Sequence, residues 1–220
     1  MVRVEARMTT TSRALDGIRV LDFTWVRAGP WCNRWLGALG AEVIKVEWPN
    51  TPSTRGLGGG QPVPGFEQTL NTAGHFSDTN ANKLSITLNT RTERGIDLTR
   101  RLVSISDIVI ENFASGVLEK WGIGYEDMKK LRPDIIYLSM SGFGHTGRNR
   151  DYQTMGPIAQ ALSGLTYTSG LPGEQPAGWG WSYMDDTGGM YGAIYALSAL
   201  YHRNITGQGQ HVDQSQWITG

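Results

Sequence analysis

Short apolar runs alternate along the chain with amphipathic stretches. The apolar runs predict a series of β-strands at 18–23, 41–47, 84–88, 108–113, 135–140 and 210–215. The stretches between them predict a helix that ends at Gly40 and further helices at 92–104, 116–121 and 125–131. Because strands and helices alternate, the pattern predicts an α/β fold with a mainly parallel sheet and helices on its faces.

The pattern changes near Tyr152, where glycine and aromatic residues become frequent. A helix is predicted at 156–163, and an irregular stretch continues through Trp181. A second helix is predicted from Asp186 to Tyr201, and its many glycines and alanines indicate that it packs closely against another element. A long loop is predicted at 48–66, where four prolines and a glycine-rich run exclude regular structure. Long loops in compact domains are often functional.

Composition narrows the class of protein. Of the 220 residues, 39% are hydrophobic and 18% are charged, as in an ordinary soluble globular protein. The formal net charge is zero, so nothing favours a nucleic acid or an anionic membrane as a partner. No run approaches the ~18 apolar residues of a membrane span, and segment 1–14 is polar, unlike a signal peptide. We therefore expect a disordered tail at 1–14 and a cytoplasmic protein.

Cysteine and histidine usage argues against a disulfide or a metal centre. Cys32 is the only cysteine, and its neighbours Trp31 and Trp35 predict that it lies on a buried helix face instead of acting as a nucleophile. The four histidines show no metal-ligand spacing. We therefore expect no bound metal.

Several polar residues stand where chemistry is expected. Asp185 and Asp186 lie immediately before the small-residue helix, where an aspartate either caps the first turn or is held as an ionised nucleophile by the positive helix end. Arg27 and Asn112–Phe113 lie at strand ends and offer a charge, an amide and a flat ring to a ligand, and Lys120 follows on a short helix. Each of these could instead be solvated or packed without a ligand. Spacing alone predicts an α/β enzyme or a binding protein for an anionic or aromatic ligand.

Ten short segments, taken in order, resemble the CaiB/BaiF family of class III coenzyme A transferases. They are Leu15–Phe23, Ala28–Pro30, Leu39–Glu47, Asn82–Lys83, Glu111–Phe113, Gly116–Leu118, Ser141–Gly144, Gln160–Gly164, Asp185 with Gly188–Gly189, and Thr206–Asp213. Each segment is weak evidence, but the ordered set is highly specific and covers residues 15–217.

The resemblance implies a Rossmann-like large domain in an enzyme whose two subunits are threaded through each other as interlocked rings. Residues 15–220 would be the N-terminal portion of the coenzyme A-binding large domain, truncated before the family's small domain. Coenzyme A and acyl-CoA are then substrates, and no permanently bound cofactor is expected. The expected partners are an acyl-CoA, a carboxylic acid and a second subunit, either identical in an interlocked homodimer or related in a heteromer.

The resemblance also implies roles for individual residues. The family's catalytic aspartate falls on Asp185. Its coenzyme A-contacting positions fall on Trp25, Val26, Arg27, Ala28, Leu88, Arg91, Asn112, Phe113 and Lys120. Trp25 replaces a histidine of a well-known transferase and Trp48 replaces an arginine, so the contacts to adenine and phosphate are expected to be redistributed.

The function implied by the resemblance is transfer of coenzyme A from an acyl-CoA donor to a carboxylic acid through a covalent aspartyl intermediate. Segment 163–185 looks closest to transferases for aromatic succinates such as benzylsuccinate. One alternative is an α-methylacyl-CoA racemase of the same family, although Met155 stands where the racemases have a catalytic histidine. Another is a non-catalytic coenzyme A-binding subunit of a heteromeric transferase. A dinucleotide-dependent oxidoreductase is less favoured, because the chain lacks the glycine fingerprint.

Overall fold

The computed structural model describes residues 12–48, 55, 65, 72–180 and 183–219, and within them six strands form one parallel sheet. The strands are β1 (Arg19–Asp22), β2 (Glu42–Glu47), β3 (Lys83–Thr87), β4 (Ile108–Glu111), β5 (Ile136–Ser141) and β6 (His211–Ser215). Their order is β3-β2-β1-β4-β5-β6, and all five neighbouring pairs are parallel. The strands β2 and β3 lie on one side of β1, and the later strands β4, β5 and β6 lie on the other side. The connections after β1 and β4 therefore lead away in opposite directions, which opens a crevice at the carboxyl ends of these two strands.

Helices lie between and after the strands. They are α1 (Ala28–Ala38), α2 (Gly74–Thr79), α3 (Glu93–Ser104), α4 (Val117–Lys120), α5 (Tyr125–Leu131), α6 (Gly156–Leu162), a 3₁₀ helix (Leu165–Ser169), α7 (Tyr183–Thr206) and α8 (Gln216–Thr219). The start of α3 is set by Thr92, whose hydroxyl accepts a hydrogen bond from the Gly95 N–H at 3.1 Å. In the part of the chain that the structure describes, no helix is long and apolar enough to cross a membrane.

Apolar side chains cover both faces of the sheet, because successive residues of a strand point to opposite sides. On one face, Ile108 and Ile110 of β4 belong to a buried cluster that includes residues of α1 and α7. On the other face, Val109 packs in a second cluster with Val103 of α3 and Leu118 of α4. The sheet is therefore the middle layer of a three-layer α/β/α arrangement.

Small residues allow α7 to approach α1 and the sheet closely. A Cβ atom on Gly189 would lie 2.7 Å from the carbonyl oxygen of Ala28 in α1, and one on Gly192 would lie 2.9 Å from the side chain of Met140 in β5. Real Cβ atoms essentially never approach so closely, so a larger residue at Gly189 would push α7 away from the backbone of α1, whereas one at Gly192 would displace the Met140 side chain. The predicted close packing of this helix is confirmed. Cys32 of α1 is fully buried, as predicted, and burial raises the pKa of its thiol well above the usual range.

The predicted fold class and strands are confirmed, with boundaries shifted by one or two residues. The predicted start of the last long helix is wrong, because α7 begins at Tyr183, so Asp185 and Asp186 lie within its first turn and not before it. Two short helices, α2 and α8, and the 3₁₀ helix within the stretch predicted as irregular are not found by the sequence pattern, since helices of one or two turns give little periodic signal. The predicted tail at 1–14 and loop at 48–66 lie mostly outside the described residues.

Candidate active site

The crevice between β1 and β4 is bordered by the turn that leads from β1 into α1. Asn112, which follows β4, clamps this turn, because its Oδ1 accepts a hydrogen bond from the Trp25 N–H and its Nδ2 donates one to the Val26 carbonyl, both at 2.8 Å. The Asn112 amide is thus engaged with backbone groups, and this geometry gives it a role in holding the turn. The flat ring expected at this strand end is supplied by Phe113, which meets Trp25 edge-on at 5.3 Å between ring centroids.

A buried ion pair fastens the other side of the same turn. The Lys83 ammonium donates hydrogen bonds to Asp22 Oδ2 at 2.9 Å and to the Pro30 carbonyl at 3.0 Å. Both charged side chains are buried, with 2% of Lys83 and 0% of Asp22 exposed. Lys45 donates to the Thr24 carbonyl at 2.7 Å. Burial lowers the pKa of Lys83 to about 8, and the Asp22 charge opposes this effect. The turn is therefore held by charges that are themselves removed from water.

Apolar and aromatic side chains line a small cleft of about 50 Å³ at the carboxyl ends of the first four strands. Its lining consists of Phe23, Trp25, Val46, Trp48, Leu88, Thr90, Arg91, Phe113 and Trp121. The Phe113 ring lies 5.3 Å from the Trp25 ring and 5.6 Å from the Trp121 ring, between centroids. The Arg91 guanidinium lies over the Trp48 ring, 3.8 Å from its centroid. Flat rings beside a cation suit a purine that carries phosphate groups.

Four of the residues predicted to contact coenzyme A therefore meet in one cleft, namely Trp25, Leu88, Arg91 and Phe113. The others lie around it. Val26 is 41% exposed on the turn, and Ala28 is buried at the first position of α1. Lys120 is exposed at the end of α4. Arg27 belongs to the same turn, but its guanidinium is bound to a carboxylate of α7.

Asp185 is a half-buried carboxylate in the first turn of α7. Its Oδ1 accepts a hydrogen bond from Gln216 Nε2, the first residue of α8, at 3.0 Å. Burial raises the pKa of the Asp185 carboxyl, whereas the Gln216 hydrogen bond, the Arg27 charge and the Gly156 backbone N–H lower it. The group is thus partly desolvated yet supported by donors, and a carboxylate is one of the side-chain groups that can form covalent intermediates.

Asp186 is not a free cap on the helix, because it forms an ion pair with Arg27. Arg27 Nε lies 2.6 Å from Asp186 Oδ1, and Nη2 lies 3.1 Å from Oδ2. The remaining end of the guanidinium, Nη1, lies 3.1 Å from His75 Nδ1 in α2. Among residues 12–48, 72–180 and 183–219, no group of three or more His, Cys, Asp or Glu side chains is arranged to hold a metal ion.

Several residues of this site were not predicted. Lys83 and Glu111 lie in two of the ten segments that resemble the family, so the resemblance could have indicated that these two residues belong to the site. Gln216 and His75 gave no signal, because their contacts join residues 31 positions apart in one case and 48 in the other. Hydrophobic periodicity reports only neighbours along the chain.

A buried carboxyl group lies behind Phe113. Glu111, the last residue of β4, is 1% exposed and accepts hydrogen bonds from the Phe113 N–H at 2.6 Å and from the Tyr137 hydroxyl at 3.0 Å. Burial raises the pKa of Glu111 to about 8. His145 Nε2 lies 3.4 Å from Glu111 Oε1, and burial lowers the pKa of this histidine. Both shifts favour the uncharged form of each group, a protonated Glu111 beside a neutral His145.

This geometry predicts a stability that falls as the pH rises. The pKa of Glu111 is higher in the folded chain than in the unfolded chain, so folding loses stability as the pH rises from about 5 through 8. Between these pH values we expect wild type to lose on the order of 3 kcal/mol more than Glu111→Gln, which cannot ionise. Urea unfolding of both proteins at pH 5, 6, 7 and 8 measures the difference. Parallel pH dependences would show that Glu111 is ionised in the folded protein.

The strand order defines a doubly wound α/β protein, and the aromatic cleft and nearby carboxylates at the strand ends form a candidate ligand site at its switch point. The chain matches the model of CoA-transferase family III over residues 15–219. It belongs to that family.

The relatives agree with this assignment. The chain is 38% identical over 215 residues to the succinyl-CoA–L-malate CoA-transferase beta subunit of Chloroflexus aurantiacus, which covers 93% of this chain and 49% of the relative. It is 37% identical over 202 residues to a formyl-CoA:oxalate CoA-transferase of Streptomyces avermitilis, and this match covers 92% of this chain and 47% of the relative. The crystal structure of a CaiB/BaiF family protein from Brucella suis superimposes with a TM-score of 0.86 at 38% identity, covering 95% of this chain and 55% of that chain. The chain spans about half the length of the curated relatives it matches.

Proposed function

We propose that this chain carries the coenzyme A site and the nucleophile of a coenzyme A transferase, with Asp185 as the acyl acceptor and residues 15–220 as the N-terminal portion of the large domain. One observation carries the proposal. Asp185 is a half-buried carboxylate that is supported by the Gln216 amide, and its helix is tied through Arg27 to the turn that borders the aromatic cleft. Membership of a family of transferases supports the same reaction class.

The reaction follows from a carboxylate nucleophile and a thioester. Asp185 attacks the thioester carbonyl of the donor, so a C–O bond forms, the C–S bond breaks, and a mixed anhydride and the coenzyme A thiolate result. The thiolate attacks the aspartyl carbonyl, which gives an aspartyl thioester and releases the donor as a free acid. An acceptor carboxylate then enters and the steps reverse. The acceptor leaves as a thioester and Asp185 returns to a carboxylate, with no change of oxidation state.

Residues of this chain serve these steps in different ways. The Gln216 amide holds Asp185 in place, and the Gly156 N–H, which acts on the same carboxyl, is placed to stabilise negative charge as it develops on the aspartyl oxygen. At the mouth of the cleft, the exposed Trp25 ring and the Phe113 ring beside it offer apolar faces to the adenine, and Arg91 neutralises phosphate charge. Lys120, exposed at the end of α4, supplies a second positive charge for the phosphates.

The relatives' names and the sequence suggest the substrates and the assembly. The two relatives are named for succinyl-CoA and formyl-CoA, so we infer a short acyl-CoA donor. The rings of Trp179 and Tyr183 lie 5.6 Å apart just before Asp185, and both are exposed, which suits an aromatic acid as acceptor. One relative is named as a subunit, in keeping with a second subunit, identical or related. The cytoplasmic location expected from the sequence remains a prediction.

An exchange assay tests the proposed function. The full-length enzyme is incubated with succinyl-CoA and a panel of acids that includes benzylsuccinate, and the acyl-CoA products are separated. We expect a new acyl-CoA in equal amount to the succinate released, with ping-pong kinetics, because a covalent intermediate separates the two half-reactions. Tight binding of acyl-CoA without any exchange would favour the non-catalytic subunit.

The racemase alternative makes the opposite prediction about the α-proton. Met155 precedes Gly156, beside Asp185, and its thioether cannot exchange a proton. With a 2-methylacyl-CoA in deuterated water, we therefore expect no α-deuteration above the rate without enzyme, as followed by mass spectrometry. Rapid deuteration that depends on the enzyme would replace the transferase with a racemase.

A further inference from the structure

Arg27 and Asp186 join two segments of the site that are 159 positions apart in the sequence. Arg27 lies on the turn before α1, and Asp186 lies in the first turn of α7, next to Asp185. The guanidinium and the carboxylate meet through two hydrogen bonds of 2.6 and 3.1 Å. Paired bonds of this kind fix direction as well as distance. The side chains are 18% and 32% exposed, so the pair is more shielded from water than an ordinary surface ion pair.

The guanidinium is held from two further sides. Its Nη1 lies 3.1 Å from His75 Nδ1 in α2, and its carbon lies 5.6 Å from the centre of the Trp31 ring in α1. Asp78, also in α2, acts on Arg27 as a second negative charge. With α1, α2 and α7 all contributing, Arg27 is a fixed part of the site and not a mobile surface cation.

We propose that the Arg27–Asp186 pair positions the nucleophile, by tying the first turn of α7 to the turn beside the cleft and by balancing the charge next to Asp185. The inference rests on the proposed function, since it assigns a role relative to Asp185. Arg27 and Asp186 are positioning residues in this account. Asp186, the neighbour of the nucleophile, supplies the anion that keeps Arg27 in place.

The charges around Asp185 show why both partners are needed. The Asp186 carboxylate raises the pKa of Asp185 and the Arg27 guanidinium lowers it, so the two charges act in opposite directions on the nucleophile. The other charged or titratable groups of this cluster are His75 and Asp78 in α2 and Arg34 in α1, whose guanidinium lies 3.7 Å from Asp78. The contributions of α8 and α6 are the neutral Gln216 amide and a backbone N–H. Loss of Arg27 alone leaves two adjacent carboxylates. Loss of Asp186 alone leaves an unbalanced cation.

Three variants of the full-length enzyme test the proposal: Arg27→Gln, Asp186→Asn and the double variant. We expect the acidic limb of the kcat profile to move up by about one pH unit in Arg27→Gln and down in Asp186→Asn, and to return in the double variant. At pH 7 we expect kcat to fall roughly thirtyfold and roughly tenfold in the single variants, and the double variant to lose far less than the product of the two. The KM for acyl-CoA should change little. Asp97→Asn, on the exposed side of α3, is the matched control and should behave as wild type.

The outcomes separate this inference from the function on which it rests. Suppose that the wild type is active, that the kcat losses of the two single variants multiply in the double variant, and that the acidic limb of the kcat profile does not move. This result would overturn the positioning role and leave the proposed function standing. A raised KM for acyl-CoA in Arg27→Gln with unchanged kcat would assign Arg27 to phosphate binding instead. A wild type without exchange activity would overturn the proposed function. In that case, melting temperatures measured without substrate still show whether the pair couples the two segments, because a coupled double variant melts no lower than the worse single variant.

Discussion

Replacing Asp185 by Asn should reduce turnover by more than roughly a thousandfold, because an amide cannot form the acyl anhydride and no other group takes over a covalent step. The substitution is nearly isosteric, and Gln216 can still hydrogen-bond to the amide oxygen. The fold and coenzyme A binding should therefore persist. The measurement is the steady-state rate of acyl exchange, together with the dissociation constant for coenzyme A by calorimetry.

Two matched aspartates serve as controls for this prediction. Asp186→Asn changes the neighbouring carboxylate in the same turn and should cost about tenfold, through position and charge alone. Asp97→Asn makes the same chemical change on an exposed face of α3 and should cost nothing measurable. Near-normal turnover in Asp185→Asn would remove this residue from the mechanism and favour a non-catalytic subunit.

Lys83→Met should destabilise the fold by about 3–5 kcal/mol, because it removes the ion-pair partner of the buried Asp22 carboxylate. Asp22 then keeps only the hydrogen bonds from Thr24 and the charge of Lys45. The same change also removes hydrogen bonds to the Pro30 carbonyl and to Asn80 Oδ1, both 3.0 Å long. The turn that carries Trp25 and Arg27 would lose the ion pair and the hydrogen bonds that Lys83 contributes beside it. Urea unfolding of wild type and variant measures the loss.

The destabilisation should depend on the negative charge of Asp22, which loses its ion-pair partner in Lys83→Met. Adding Asp22→Asn to Lys83→Met should therefore restore part of the stability, although each change removes contacts of its own. Lys129→Met, on the exposed face of α5, should change the free energy of unfolding by less than about 0.5 kcal/mol. A Lys83→Met variant as stable as Lys129→Met would show that the buried pair contributes little to the fold.

The sequence predicts the sheet well because the information is local. A strand such as β4 is buried at every residue and begins with a continuous apolar run, Ile-Val-Ile, which is followed by the polar residues Glu111 and Asn112. The start of α7 is harder to place, because it follows a glycine-rich stretch and begins with two adjacent aspartates that read as a cap. The structure instead starts the helix two residues before Asp185.

The site could be predicted only in part, and for a different reason. Trp25, Leu88, Arg91 and Phe113 were placed by resemblance, and the structure brings them into one cleft. Local patterns contain nothing that would pair Arg27 with Asp186, or Asp185 with Gln216. These contacts arise only when the fold brings together α7, α8 and the turn before α1. The polar contacts that tune reactivity are therefore a product of the fold and not of any single segment.

In the proposed reaction, Asp185 carries the covalent intermediates. The most direct test is to incubate the full-length enzyme with acyl-CoA, quench with hydroxylamine, and map the modified residue by mass spectrometry of the digested protein. We expect a hydroxamate on Asp185, present only with acyl-CoA and absent from Asp185→Asn. A hydroxamate on Asp186, or none at all in an enzyme that exchanges acyl groups, would contradict it.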